Sequence, residues 1–260
     1  VAQAILAQRA ADALLRRSRG ATFERLPGTR REVQALASLF DQSEIHLGSD
    51  ASEQTLEALR ANGQLSTFTV IHLATHGKID DRAPMNSRLL LAQDRLPDPT
   101  AAWPLEVPVV DGVLTAGEVL NTWKLHAELV TLSACQSGLG RQGGGEGFIG
   151  FAQAFFLAGA RSLVVSLWEV NDQAASLLMS RFYQNWLGKR PGLDRPLSKA
   201  EAMREARDWL RGLTGAQVER ELTAIARGEL QRRSGPLPAA GRPFAHPHYW
   251  AGFILMGDPN

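Results

Sequence analysis

The chain has 260 residues, with 28 Lys and Arg against 27 Asp and Glu and a formal net charge of +1. That balance gives no overall drive toward nucleic acid, and 44% apolar with 21% charged residues is a globular composition, not a disordered one. One cysteine, Cys135, excludes an internal disulfide and fits a reducing, cytoplasmic compartment.

Residues Val1–Arg19 carry apolar and basic residues at helical spacing up to Gly20. The chain begins on Val1 with no basic and apolar leader. We therefore expect no signal peptide, and a C-terminal piece of a longer protein in which residues 1–22 are a helix or linker from a preceding region. Arg9, Arg16, Arg17 and Arg19 make one face basic; a solvated face accounts for them better than a nucleic-acid contact. Next come a helix over Thr29–Gln42, a short strand at Glu44–Leu47, and a helix over Ser52–Asn62 opened by Ser52 with Thr55 and Glu57. Thr67–Ala74 reads as a buried strand, rich in β-branched and apolar residues.

Arg82–Gly112 contains Pro84, Pro97, Pro99, Pro104 and Pro108 and is expected to be an excursion with a hairpin around Arg88–Ala92. Leu129–Ser133 and Ser162–Trp168 are two more buried strands, separated by an apolar helix at Phe148–Ala158 that stops at Gly159. Amphipathic helices follow at Asp172–Leu187 and Ser198–Leu213, with another at Ala216–Leu230 and a closing strand at Tyr249–Met256. No apolar run approaches the roughly 20 residues that span a bilayer, so no membrane contact is expected. Strands alternating with helices imply an α/β fold, a mostly parallel sheet with helices on both faces.

In such sheets ligands bind beyond the carboxyl ends of the strands. Three tips matter here: Thr75-His76-Gly77, Ala134-Cys135-Gln136-Ser137-Gly138, and Glu169–Asp172. A thiol becomes a good nucleophile when an imidazole takes its proton, and that imidazole can then protonate a leaving amine. Gly77 has no side chain, so its N–H can approach a substrate carbonyl; the Cys135 N–H is a second oxyanion donor. A lone cysteine is also a common buried hydrophobe, and His72, inside its strand, reads as a structural histidine. His46 and His126 read as surface or packing residues. His246 and His248 have no completing cluster, so neither metal nor cofactor is expected. Gly138, Gly140 and Gly143 spell a dinucleotide pattern, but Gly143–Gly145 and Gly147 forbid the helix that it needs.

The strings VIHLATHG (70–77), LVTLSACQSGLG (129–140), GEGFIGFAQAFFLAGARSLVVSLWEVND (145–172) and HPHYWAGFILMGDP (246–259) resemble the CHAT domain, a bacterial caspase-like domain often found after tetratricopeptide repeats. LPGTRREV (26–33) and GVLTAGEVL (112–120) fit its pattern too, and the likeness runs from about 23 to 260. It implies a caspase/separase-type cysteine endopeptidase acting on a protein or peptide, with His76 and Cys135 as the dyad and Gly77 and Cys135 as the oxyanion hole. A preceding repeat region or activating partner would control it. Animal caspases bind an acidic P1 side chain with a Gln and an Arg; here Ser133 and Glu169 stand at those places, with Asp172 near. The expectation is a basic or neutral P1 residue, because like charges repel. Asp172 is equally well placed as a helix N-cap, and Glu146 as a helix-dipole partner. The glycine-rich stretch Gly138–Gly147 is expected to order before the site works. The rival reading is a catalytically silent interaction module.

Overall fold

A computed structural model describes residues 27–96, 110–136, 146–168, 170–225 and 241–260. The helix expected over residues 1–19, the ordering of residues 137–145 and the position of Glu169 lie outside these. Among the described residues six strands form one sheet: β1 (Val70–Lys78), β2 (Arg88–Leu90), β3 (Val113–Thr115), β4 (Leu129–Gln136), β5 (Ser162–Ser166) and β6 (Phe253–Gly257). Their order is β3-β2-β1-β4-β5-β6.

Only the centre of the sheet is parallel, β1 with β4 and β4 with β5; the pairs β1·β2, β2·β3 and β5·β6 are antiparallel. The expected mostly parallel sheet is therefore corrected to a mixed one. The reason is connectivity: helical crossovers serve the central strands, whereas the proline-rich excursion links the antiparallel strands β2 and β3, of which β3 is the sheet edge.

The helices are α1 (Pro27–Ala37), α2 (Glu53–Ala61), α3 (Ala116–Thr122), α4 (Glu146–Ala158), α5 (Asp172–Trp186), α6 (Lys199–Gly212), α7 (Gly215–Ile225) and α8 (Pro247–Trp250). Their starts follow side-chain chemistry. Ser52 accepts from the Thr55 N–H, while Thr115 with Glu118 and Ser198 with Glu201 form reciprocal capping boxes. α4 stops at Gly159 (φ 115°), where a Cβ would sit 2.1 Å from the Leu125 carbonyl oxygen, so only glycine allows this turn and this approach together.

Two expected strands differ. Glu44–Leu47 joins no ladder; Ile45 is exposed, and His46 Nε2 instead lies 2.8 Å from Glu44 Oε1. Tyr249–Met256 is divided: Pro247 starts the one-turn α8, His246 caps it by accepting from the His248 N–H, and only Phe253–Gly257 is strand.

Strand alternation sends successive residues to opposite faces. On β1, β4, β5 and β6, Ile71, Leu73, Val130, Leu132, Leu163, Val165, Ile254 and Met256 join one hydrophobic cluster with α2, α3 and α4. Val70, Leu129, Val164, Phe253 and Leu255 join the other, with α1, α5, α6 and α7. Strand β5 is buried along its whole length, as expected of a strand covered on both sides.

Candidate active site

His76 lies near the end of β1 and Cys135 near the end of β4, and the parallel ladder makes them direct register partners. Adjacent strands stand about 4.8 Å apart. Two residues 59 positions apart along the chain are thus brought side by side at the carboxyl rim of the sheet. His76 keeps the phase of Val70 and His72, and position 135 keeps that of Leu129 and Thr131, which belong to the α1/α5 face.

The flanks are defined. Gly77 is buried and pairs with Leu89 on one side and Gln136 on the other. His76 pairs across β2 with Leu90, whose carbonyl accepts from the Thr75 hydroxyl. His76 itself is half-buried. Ser133 is buried in β4, two positions below Cys135 and opposite Ala74.

Asp172 opens α5, but the N-cap is its neighbour: the Asn171 side chain accepts from the Gln173 and Ala174 N–H groups. Asp172 is half-buried against the first turn of α1, so close that a Cβ on Gly28 would stand 2.6 Å from Asp172 Cβ. The N-terminus of α1 therefore meets α5 at the strand-exit end of the sheet. Trp168, after β5, stacks on His248 with ring centroids 6.1 Å apart and donates its indole N–H to the His248 carbonyl. His246 and His248 are thus structural elements of α8, and no group of three or more potential metal ligands occurs among the described residues. Glu146 is the first residue of α4.

Beneath the His76–Cys135 level runs a buried polar chain. His72 Nε2 lies 2.8 Å from Glu32 Oε1 and His72 Nδ1 3.3 Å from the Tyr183 hydroxyl, which is 2.8 Å from the Thr131 hydroxyl. His72 and Thr131 are register partners, four residues before His76 and Cys135 on their strands. Burial pushes the Tyr183 phenol well above its ordinary range. His72 was legible as a structural histidine; its partner Glu32 was not, since the two lie 40 residues apart.

The chain matches the CHAT domain profile over residues 1–258. It belongs to the CHAT domain family, a caspase-like peptidase family. This CHAT domain is also similar to tetratricopeptide repeat protein 28 of Mus musculus, 28% identical over 151 residues that cover 58% of this chain and 5% of the relative. The human protein of the same name is 27% identical over the same length, with the same shares. The chain therefore corresponds to a small fraction of these long relatives. Among the described residues, no helix of this CHAT domain is long and apolar enough to cross a membrane.

Proposed function

We propose that this CHAT domain is a cysteine endopeptidase with His76 and Cys135 as its dyad. The observation that carries the reading is their pairing in the β1–β4 register at the strand-exit rim. In-register residues of neighbouring parallel strands share a face of the sheet, so one substrate carbonyl can reach both. The His76 imidazole takes the Cys135 thiol proton, and the thiolate attacks the scissile carbonyl carbon. The oxyanion collects on the N–H groups of Gly77 and Cys135. The C–N bond then breaks as the imidazolium protonates the departing amine. Water, activated by the same imidazole, hydrolyses the thioester to a carboxylate and restores the thiol.

Ser133 and Asp172 are assigned to the P1 side in this reading, and Glu169 is assigned there from its place in the sequence alone. They offer no cation to an acidic residue and two carboxylates to a basic one, so Arg or Lys is the preferred P1 residue. The curated relatives are named for tetratricopeptide repeats, which supports a repeat region as the controlling neighbour of this domain.

The decisive experiment labels the protein with an electrophilic peptide ketone carrying Arg, Lys, Asp or Leu at P1. Labelling of Cys135 at neutral pH is expected, lowered roughly 10²–10⁴-fold in His76→Ala and absent in Cys135→Ala. Labelling that ignores His76 sinks the dyad and favours a silent interaction module. The P1 series is a separate prediction: Arg and Lys probes react fastest, and a preference for Asp overturns the pocket assignment while leaving the dyad standing.

A further inference from the structure

Strand β6 closes the sheet at the end away from β3, and α6 runs antiparallel beside it. The Ala200 N–H donates to the Pro259 carbonyl, the Arg207 guanidinium donates to the Phe253 carbonyl, and Arg211 lies over the Trp250 ring, 5.9 Å from its centroid. Arg204, Arg207 and Arg211 stand at i, i+3 and i+7 and so share one face of the helix. Arg204 precedes Arg207 by three residues, about 4.5 Å along the helix axis, which brings it to the level of Leu255.

Only one side of β6 is used by the sheet. The Leu167 N–H donates to the Gly252 carbonyl and the Asp258 N–H to the Arg161 carbonyl. Between these, the pairs Val165–Ile254 and Leu163–Met256 carry the ladder bonds, while Phe253 and Leu255 turn their N–H and C=O groups to the outer edge. Arg207 takes up the Phe253 carbonyl. Among the described residues no group bonds to the outward N–H and C=O of Leu255. The run Phe253–Gly257 has no charged residue and no proline, the usual devices that blunt such an edge.

The charge beside this edge is uncompensated. Asp208 pairs with Arg211 at 3.3 Å, Glu205 with Arg181 at 2.6 Å and Glu201 with Arg195 at 3.3 Å. Asp258, at the far end of β6, accepts from the Asn260 N–H. Among the described residues no carboxylate pairs with Arg204, which is exposed, or with Arg207, which is half-buried. The Arg207 Nε is buried with no hydrogen-bond partner. A cation that has lost water and gained one carbonyl is stabilised by any carboxylate that reaches it.

We propose that the β6 edge and the Arg204–Arg207–Arg211 face of α6 form a docking groove for an extended acidic segment of a partner protein. The segment adds a strand beyond β6: it donates to the Leu255 carbonyl, accepts from the Leu255 N–H, and sets carboxylates against Arg207 and Arg204. Alternate side chains of a strand share a face, so acids at every second position suit the side toward the arginines. A second copy of this chain pairing through the same run, Phe253–Gly257, brings no carboxylate within that run to these arginines.

The test uses the whole chain, needs no peptidase activity and stands apart from the dyad reading. Three short fluorescein-labelled peptides are titrated by anisotropy: alternating Glu and Val, alternating Lys and Val, and the Glu–Val peptide with its backbone N-methylated, which keeps the charge and removes the donors. Only the unmodified Glu–Val peptide is expected to bind, and to slow hydrogen exchange at the Leu255 amide. Arg207→Gln and Arg204→Gln are each expected to weaken it roughly tenfold. No binding of that peptide, equal binding of either control, or unchanged binding in Arg207→Gln overturns the groove. A concentration-dependent dimer in sedimentation that protects the Leu255 amide without peptide assigns the edge to a second copy and overturns the acidic partner. Should Arg207→Gln not fold, Arg204→Gln, at an exposed position, and the Leu255 exchange decide the matter.

Discussion

On one face of the sheet Ile71, Leu73, Val130, Leu132, Leu163 and Val165 meet α2, α3 and α4 through hydrophobic side chains. On the other, the residues between them include His72, Thr131 and Ser133, which bring N–H and O–H groups into the interior beside Glu32 and Tyr183. Both faces draw on the central strands β1 and β4, and the residues named for the first take in β5 as well. The first is held by burial alone and tolerates any side chains of fitting volume. The second must satisfy each polar group that it buries, because an unpaired one costs free energy. The polar face is also the phase of His76 and position 135. The ladder that places His76 and Cys135 at its rim carries polar positions down the same side, and His72 and Thr131 are held there by hydrogen bonds from α1 and α5.

The largest effect that separates the faces is expected at Glu32. Glu32→Ala leaves the His72 ring facing an empty acceptor position and should lower unfolding stability by roughly 3–5 kcal/mol in urea denaturation. Replacing the pair together, Glu32→Leu with His72→Leu, should recover most of that loss, since no orphaned polar group remains. Leu132→Ala on the other face should cost roughly 2–5 kcal/mol through transfer and cavity terms, with no partner change that restores it. If the Glu32/His72 double variant is as unstable as Glu32→Ala alone, the two faces are held by the same forces and the contrast fails.

What the sequence showed of this architecture depended on how local the signal was. The VIHLA, LVTLS and SLVVS runs are legible because a strand covered on both sides is mostly apolar and β-branched, and that is written in consecutive residues. The strand exits, and with them His76 and Cys135, follow from placing those runs. α3 has only seven residues, too few for periodicity, yet its Thr115–Glu118 capping box was available as a signal. Glu32 and Glu53 were opaque for a different reason. Their partners, His72 at a separation of 40 residues and the 111–112 amides at 58 and 59, come close only after the chain has folded. The split of Tyr249–Met256 is intermediate: Pro247 after His246 marks a helix start, but the apolar run that follows outweighs it in a pattern of period two.

The smallest expected effect probes the far end of the polar chain. Tyr183 is fully buried, its ring packed edge-on against Phe182 and His72 and its hydroxyl between Thr131 and His72. Tyr183→Phe keeps the ring and removes one oxygen. It leaves the Thr131 hydroxyl and His72 Nδ1 without that partner, which should cost roughly 1–3 kcal/mol. Combining it with Thr131→Val removes the second hydroxyl as well, so the double variant should cost less than the sum of the two single changes. Strict additivity in that cycle would mean that the 2.8 Å contact carries no coupling, and that ring packing alone anchors α5 to the strands. The Phe variant should also keep the His76–Cys135 register, because that register is fixed by the β1–β4 backbone ladder rather than by the hydroxyl. Peptide-ketone labelling of the variant reads the two contributions separately: unchanged labelling with lowered stability assigns Tyr183 to the packing of the polar face, and a parallel loss of labelling extends the reactive site down to it.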